Sequence, residues 1–306
     1  MSGDVVDGLV ECVPNFSEGR RPEVIAAIRD AVAAVDGVRV LNVQSDADHN
    51  RFVLTYVVRE SHAVAAGMAA ARAARDLIDL RVHEGAHPRM GALDVFPFVP
   101  LGDLPMARCV ALAETLGKQI AADLGIPVYL YEEAARDPSR VNLENVRKGG
   151  FEGLRDSVPS DPARKPDFGP SALHPSAGAV AVGARRPLIA FNVYLGTADP
   201  RLAKTIAKAI RHSSGGLRYV KGLGLEMPGT GTTQVSMNLT NFKATSMVRV
   251  MDLIRAEAAR WGVPVLHSEV VGLIPLDALL DAAQAFLQLR DFTPDQILER
   301  RVLQED

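Results

Sequence analysis

The stretch HEGAHPRMGALD, residues 83–94, places two histidines beside a glutamate and an arginine. His83 and His87 stand four residues apart with Glu84 directly after the first, which fits the pattern H-E-x-x-H. On a continuous helix this pattern places two imidazoles over a zinc ion, with the glutamate as general base. The chemistry of the stretch therefore depends on whether it is helical.

Two residues argue against a helix. Gly85 lies between the histidines, and glycine costs about 1 kcal/mol in a helix interior. Pro88 pushes His87 towards extended backbone and would clash with the Glu84 carbonyl if a helix continued. No H-x-x-G-x-x-H continuation supplies a third ligand. We expect a loop before a strand, whose imidazoles either carry protons at neutral pH or simply fill the structure.

The residues around this loop alternate between strand and helix patterns. In the first half we predict strands from residue 8, at 38–43, at 51–58, in ALDVFPFVPL and in PVYLYE, and helices from Pro22, over 61–80 and over 106–124. In the second half we predict strands at 186–195, in LRYVKGLGLEM, TTQVSMNLTNF and PVLHSEVVGLIP, and helices capped by Asp199, in MVRVMDLIRAEAARWG and in LDALLDAAQAFLQLR. Residues 132–182 are rich in Pro, Gly, Ser and charge and favour a loop or linker.

Each half follows the order β-α-β-β-α-β of a ferredoxin-like unit. We therefore predict an α+β fold with two subdomains, residues 1–184 and 185–306, and a ligand cleft at their junction. A single three-layer α/β domain is the alternative.

Composition narrows the function classes. The chain has 306 residues, a net charge of -3 and only 5% aromatic residues, which argues against nucleic acid as a partner. Cys12 and Cys109 are too far apart in sequence for a C-x-x-C motif, and a reducing cytoplasm is the simplest compartment. We see no signal peptide, and no apolar run approaches the roughly 20 residues that span a bilayer, so no membrane partner is expected.

Two further segments carry polar side chains that suit a ligand. SDADHNR, residues 45–51, is either a hairpin with Asx-turn chemistry or the polar rim of the cleft, where Arg51 would hold a carboxylate. DFGPSALHPSAGA, residues 167–179, is either a plain linker or a cradle of outward-turned backbone N–H groups.

Taken together, VECVPNFSEGR, HEGAHPRMGALDVFPFVPL, PVYLYEEAA, PDFGP, GARRPLIAFNVYL and QVSMNLTNF resemble the glutamate formiminotransferase family, in the family's order and over nearly the whole chain. The bacterial single-function members are the most similar form. The resemblance implies transfer of the formimino group from N-formimino-L-glutamate to N5 of tetrahydrofolate, a step of histidine degradation. It also implies folate bound between two α+β subdomains, tetrahydrofolate as cosubstrate without a metal, and a homodimer.

The resemblance assigns the acid–base role to His87, the histidine of the family's H-P-R segment. It places the folate-binding loop after PDFGP, on Gly169, Pro170, Ser171, Ala172, Leu173, His174, Pro175, Ser176, Ala177 and Gly178. Two positions depart from the animal enzymes. Ala177 stands where those have tryptophan, so stacking on the pterin is lost there. Gln44 stands where they have aspartate, which leaves Asp46 as the candidate for the role of that aspartate.

The chemistry requires one proton to leave N5 and one to reach the departing glutamate nitrogen, which a single imidazole between the two nitrogens can supply. Arg51 and Arg89 are the candidates for the donor's two carboxylates, with Arg185 or Arg186 behind them. His83 either orients the loop or contacts substrate.

Three alternatives remain. The same site would suit formyl transfer between 5-formyltetrahydrofolate and glutamate, or another donor such as formiminoglycine. A folate-binding protein without activity is a second alternative, although His87-Pro88-Arg89 argues against it. The zinc hydrolase is the third, and metal analysis would test it.

Overall fold

A computed structural model describes residues 7–85 and 88–303. The chain divides into two compact units, Met1–Arg185 and Arg186–Asp306, with the junction one residue after the predicted one. The two units contain separate sheets, and both mix helices with strands. The predicted α+β class is confirmed, and the separate sheets exclude the single three-layer alternative.

The first unit contains one mixed sheet. Its strands, β1 to β7, are Leu9–Cys12, Asn15–Phe16, Arg39–Asp46, Arg51–Arg59, Leu93–Pro100, Val128–Glu132 and Val180–Ala184. Its helices, α1 to α5, are Pro22–Ala33, Glu60–Leu77, Met106–Leu124, Leu143–Val146 and Gly150–Ser157. Across the sheet the order is β3, β4, the pair β1 and β2, β5, β7 and β6. In chain order, the pair β1 and β2 followed by α1, β3, β4, α2 and β5 forms the predicted β-α-β-β-α-β unit, and α3, β6 and β7 extend it.

Helices α4 and α5 and strand β7 correct the sequence prediction, because residues 132–182 were assigned to loop and linker. β7 lies between β5 and β6 and pairs with both in parallel. Val180 and Val182 face the core under α1 to α3, whereas Ala181 faces a second cluster under α4 and α5. A parallel strand that is buried on both faces shows no polar alternation, so a short run of small apolar residues is easily taken for a loop.

The second unit repeats the predicted order without an insertion. Its strands, β8 to β11, are Ile189–Leu195, Val220–Met227, Thr232–Leu239 and Val265–Val271. Its helices, α6 to α9, are Pro200–Ile210, Met247–Arg260, Leu276–Leu287 and Leu298–Leu303. The antiparallel sheet has the order β11, β8, β10, β9, and α6 and α7 pack against it around Phe191, Val193 and Ile206. Asp199 caps α6 as predicted, because its carboxylate accepts the Arg201 amide at 2.9 Å.

Helix α6 packs closely against strand β9 because Gly224 has no side chain between the two backbones. A Cβ at Gly224 would overlap the backbone of Ala203 and Lys204, whereas a Cβ at Gly222 would meet its nearest neighbour at an ordinary 3.7 Å.

Gly224→Ala therefore tests this packing, with Gly222→Ala as the control on the same face of the strand. We expect the first variant to lower the free energy of unfolding by about 1–3 kcal/mol, because helix α6 must shift. The second should stay within about 0.5 kcal/mol of wild type. Chemical denaturation measures both, and equal stabilities would contradict the close approach.

Candidate functional site

Three loop segments of the first unit meet at one point. They are the residues after β2 (Ser17 to Gly19), the connection between β3 and β4, and the histidine loop up to Gly85. Asn50 joins all three. Its side-chain oxygen accepts the Gly19 amide at 2.8 Å, its side-chain nitrogen donates to the Glu84 carbonyl at 2.8 Å, and its own carbonyl lies 2.9 Å from His83 Nε2.

The conformation of Asn50 suits this role. It is 7% exposed and has φ +48°, a left-handed backbone that asparagine tolerates better than most residues. The loops also approach closely, because Cβ atoms at Gly19 or Gly85 would overlap the backbone of Asp46 and His49. Glycine at both positions is therefore required for the three segments to meet.

The histidine loop is not helical in its described part. Arg81 and Val82 form a turn, and residues 83–85 and 88–89 have no regular structure. The predicted loop is confirmed for these residues, while His87 lies outside the described residues. In the described part of the chain, no three His, Cys, Asp or Glu residues are grouped as a metal site would require.

Asp94 holds the segment that follows the loop. Its buried carboxylate accepts the amides of Met90 at 2.7 Å and Gly91 at 3.3 Å. Ser17 binds the same segment from the other side, with its hydroxyl donating to the Gly91 carbonyl at 2.7 Å and its amide to the Ala92 carbonyl at 2.9 Å. The chain on the C-terminal side of His87 is therefore fixed by hydrogen bonds.

The predicted folate loop packs directly against this segment. The Ala179 amide donates to the Met90 carbonyl and the Ala92 amide to the Ala177 carbonyl, each at 2.9 Å. Gly178 has φ +71°, and a Cβ there would overlap the Met90 carbonyl. The end of the folate loop and the exit of the histidine loop thus form one hydrogen-bonded body.

Within the folate loop, His174 binds backbone. Its Nδ1 accepts the Ala177 amide at 3.0 Å, and burial lowers its pKa. The Leu80 amide donates to the Ser176 carbonyl at 2.8 Å. Ala177 is 2% exposed and belongs to the core, so its side chain offers no surface to a ligand.

The predicted cations Arg51 and Arg89 line one small pocket with His83, Asn15, Asn50 and Asp94. Arg51 donates through Nη2 to the Asn15 side-chain oxygen, and its Nε is buried without a partner in the part of the chain that the structure describes. Arg89 donates to the His83 carbonyl at 3.0 Å and forms an ion pair with Glu152 at 2.9 Å. The two arginines therefore differ, because only Arg89 has a carboxylate partner in the described residues.

Asp46 and Arg185 lie outside this group of lining residues. The Asp46 carboxylate accepts hydrogen bonds from the backbone amide and the ring nitrogen of His49. Burial raises the pKa of Asp46, but the combined effect of the hydrogen bonds is larger, so the net shift of the pKa is downward. Arg185 follows β7, where its amide donates to the Phe98 carbonyl at 3.0 Å, and its charge acts on Glu11 and Tyr131.

Sequence reasoning missed two residues of this site. Asp94 stood inside the stretch HEGAHPRMGALD but was assigned to a strand, and Arg147 lay in the segment taken for a linker. Arg147 pairs with Asp94 across 53 residues of chain. A lone aspartate at a strand start was the signal, since a buried carboxylate requires partners.

Comparison with known proteins is consistent with this architecture. Residues 9–185 match the model of the formiminotransferase domain, N-terminal subdomain, and residues 190–300 match that of the formiminotransferase domain. The chain belongs to the formiminotransferase family. The resemblance inferred from the sequence motifs is therefore confirmed.

Individual relatives cover most of this formiminotransferase-family chain. It is 49% identical to a glutamate formimidoyltransferase of Thermoplasma acidophilum over 96% of this chain and 97% of the relative. It is 44% identical to a glutamate formimidoyltransferase of Streptococcus pyogenes over 96% and 99%. It is also 44% identical to a rat formimidoyltransferase-cyclodeaminase, over 90% of this chain but 52% of that protein.

Asn50→Ala tests the junction of the three loops in this family member. It removes two buried hydrogen bonds and leaves Gly19 N and Glu84 O unsatisfied, so the free energy of unfolding should fall by about 2 kcal/mol or more. Asn50→Gly removes the same side chain but accommodates the positive φ, so it should be less destabilised. Urea unfolding of the two variants measures this order, and an alanine variant as stable as wild type would contradict it.

His83 predicts a pH dependence of stability. Burial, above all, lowers its pKa below 6.5, so as the pH falls the unfolded chain takes up a proton before the folded chain does. The wild type should therefore lose stability as the pH falls through about 6.5, until the folded pKa is passed.

His83→Gln should lose less stability than wild type over the same range. His62→Gln, which changes a more exposed imidazole, should keep the wild-type dependence. Unfolding free energies at several pH values measure the difference, and identical curves for wild type and His83→Gln would show that His83 is not responsible.

Proposed function

We propose that this chain transfers the formimino group from N-formimino-L-glutamate to N5 of tetrahydrofolate, giving 5-formiminotetrahydrofolate and L-glutamate. The observation that carries the proposal is the identity of 49% and 44% to two glutamate formimidoyltransferases over nearly the full length of both chains. The buried Arg51 beside the histidine loop supports a donor that carries carboxylates.

His87 is the proposed proton shuttle. N5 attacks the electrophilic amidine carbon and forms a tetrahedral intermediate, after which N5 loses a proton and the glutamate nitrogen gains one before it leaves. An imidazole with a pKa near neutral performs both transfers from one position. The hydrogen bonds on both sides of residues 86 and 87 support this role, because Asn50 binds the loop at Glu84 and Asp94 binds it at Met90.

The remaining predicted residues divide by their contacts. His83 orients the loop, because its Nε2 lies at the Asn50 carbonyl. Arg51 binds a donor carboxylate, and Arg89 contributes less because Glu152 already neutralises it. Asp46 shapes the β3–β4 connection through His49, and Arg185 has a supporting role at the end of β7.

Tetrahydrofolate is the proposed cosubstrate, held by the backbone of Gly169 through Gly178. The hydrogen bond from the Ala177 amide to His174 gives this loop a defined conformation. The backbone hydrogen bonds near Gly178 hold the end of the loop against the segment that follows the histidine loop. Short polar loops whose backbone groups face a ligand suit a flat heterocycle with several hydrogen-bonding edges.

We further propose that the enzyme is a cytoplasmic homodimer. Cys12 and Cys109 are buried free thiols, which suits a reducing compartment. On the second unit Leu223 and Phe286 expose apolar surface of the kind that a second copy would cover. Within the described part of the chain, no helix is both long and apolar enough to cross a bilayer.

A donor comparison tests the function. Purified protein with tetrahydrofolate, N-formimino-L-glutamate and a chelator should form 5-formiminotetrahydrofolate, followed by absorbance. A parallel reaction starts from 5-formyltetrahydrofolate and glutamate. Turnover in the formyl reaction alone would replace the proposal by formyl transfer, and folate binding without turnover in either would replace it by a folate-binding protein.

His87→Ala tests the proton shuttle. Because general acid–base catalysis contributes about 100-fold or more, kcat should fall by at least that factor while the dissociation constant for tetrahydrofolate stays within about threefold of wild type. His62→Ala is the control, because His62 lies on α2 and binds the Asp36 carbonyl. An unchanged kcat in His87→Ala would assign the proton transfers to another group.

A further inference from the structure

Both carboxylate oxygens of Asp94 are occupied by hydrogen-bond and ion-pair partners. Its side chain is 3% exposed, one oxygen accepts the Met90 and Gly91 amides, and the other forms an ion pair with Arg147 Nη2 at 2.5 Å. One buried anion thus serves two backbone amides and one guanidinium, and its negative charge is already balanced by Arg147.

Arg51 is a second guanidinium beside this pair, and it has no carboxylate partner among the described residues. Its Nη2 donates to the neutral amide of Asn15, and its Nε is buried with no partner in residues 7–85 and 88–303. Burial, and next the charge of Arg147, lower the pKa of Arg51 to about 10. The group therefore stays protonated at neutral pH.

Arg147 is also incompletely bonded. Its side chain is 15% exposed, and its Nε is buried without a partner in the described part of the chain. Glu152 does not compensate these two arginines, because it pairs with Arg89. Of the two carboxylates whose charges favour protonated Arg51, Asp94 is paired with Arg147 and Asp46 is exposed to solvent. Among the described residues, the two partly buried guanidinium groups therefore share one buried carboxylate, and a second anion between them would be stabilised.

We infer that Arg51 and Arg147 together bind one carboxylate of the amino-acid donor, and that Asp94 is the positioning residue that holds Arg147 in place. A guanidinium presents a planar fork of N–H donors that matches a carboxylate. Within the described residues the Nε groups of Arg51, Arg147 and Arg89 all lack a partner. Arg89 differs because its terminal nitrogens already bind Glu152 and the His83 carbonyl. The inference rests on the proposed function and adds Arg147 to it, in a position that the sequence had left to Arg89.

Arg147→Lys tests this pocket. Lysine keeps a positive charge for Asp94 but loses the fork, so KM for N-formimino-L-glutamate should rise by about tenfold or more. KM for tetrahydrofolate should not change, and kcat should change by no more than about threefold. An unchanged donor KM, or a rise in the tetrahydrofolate KM instead, would overturn the inference.

Arg140→Lys is the matched control. Arg140 pairs with Asp167 at 2.8 Å, and its side chain is 13% exposed, so the substitution disturbs an equally buried arginine–aspartate pair. Its donor KM should stay at the wild-type value. Thermal unfolding of both variants checks that any change in KM is not a loss of folded protein.

Amide analogues of the donor identify the carboxylate. Wild type should prefer N-formimino-L-glutamate over the analogue whose pocket-bound carboxylate is an amide, either the α-amide or the γ-amide. Arg147→Lys should reduce that preference by about tenfold for one analogue and leave the other unchanged. Undiminished preferences against both analogues would contradict a carboxylate site here.

Calorimetric titration with L-glutamate separates the pocket from the reaction. If L-glutamate binds wild type and its affinity falls by about tenfold in Arg147→Lys, the carboxylate site is supported. An absence of formimino transfer would then refute only the proposed function. Equal affinities of wild type and Arg147→Lys would overturn the pocket even if transfer is observed.

Discussion

The buried amide of Asn50 is the contact on which the site depends. The described residues of the histidine loop have neither helix nor strand to satisfy their own backbone groups, and buried N–H and C=O groups must find partners. Asn50 supplies them on the N-terminal side, through Glu84 and Gly19. Asp94 does the same on the C-terminal side, through Met90 and Gly91. The described backbone on both sides of residues 86 and 87 is therefore held by hydrogen bonds to buried side chains.

Close backbone approach is the second constraint. Gly19 and Gly85 allow the loops to reach Asn50, and Gly91 and Gly178 allow the folate loop to reach the histidine loop. The contacts between the folate loop and the segment after the histidine loop join backbone to backbone, whereas those of Gly19 and Glu84 depend on the Asn50 side chain. The arrangement explains how two loops far apart in sequence, with different proposed ligands, lie side by side where the adjacent parallel strands β5 and β7 begin.

The sequence predicted the regular elements and the non-helical loop, because Gly85 and Pro88 are local signals and β-branched alternation marks β3 and β4. It missed the short helices α4 and α5, which lie in a segment rich in Pro, Gly and charge, and it missed β7, whose burial on both faces removes the alternation. It also missed the pairing of Arg147 with Asp94, since a contact across 53 residues leaves no local pattern. The function came from the resemblance of whole motifs, and the division of roles between Arg51 and Arg89 required the structure, because only their partners distinguish them.

A crystal structure with 5-formyltetrahydrofolate and L-glutamate bound is the most direct test of the account. The His87 imidazole should lie within about 3 Å of both N5 and the glutamate amino nitrogen, or be connected to each by one bridging water molecule. A glutamate carboxylate should also lie against Arg51. An imidazole directed away from both nitrogens, with another group between them, would contradict the proposed proton shuttle.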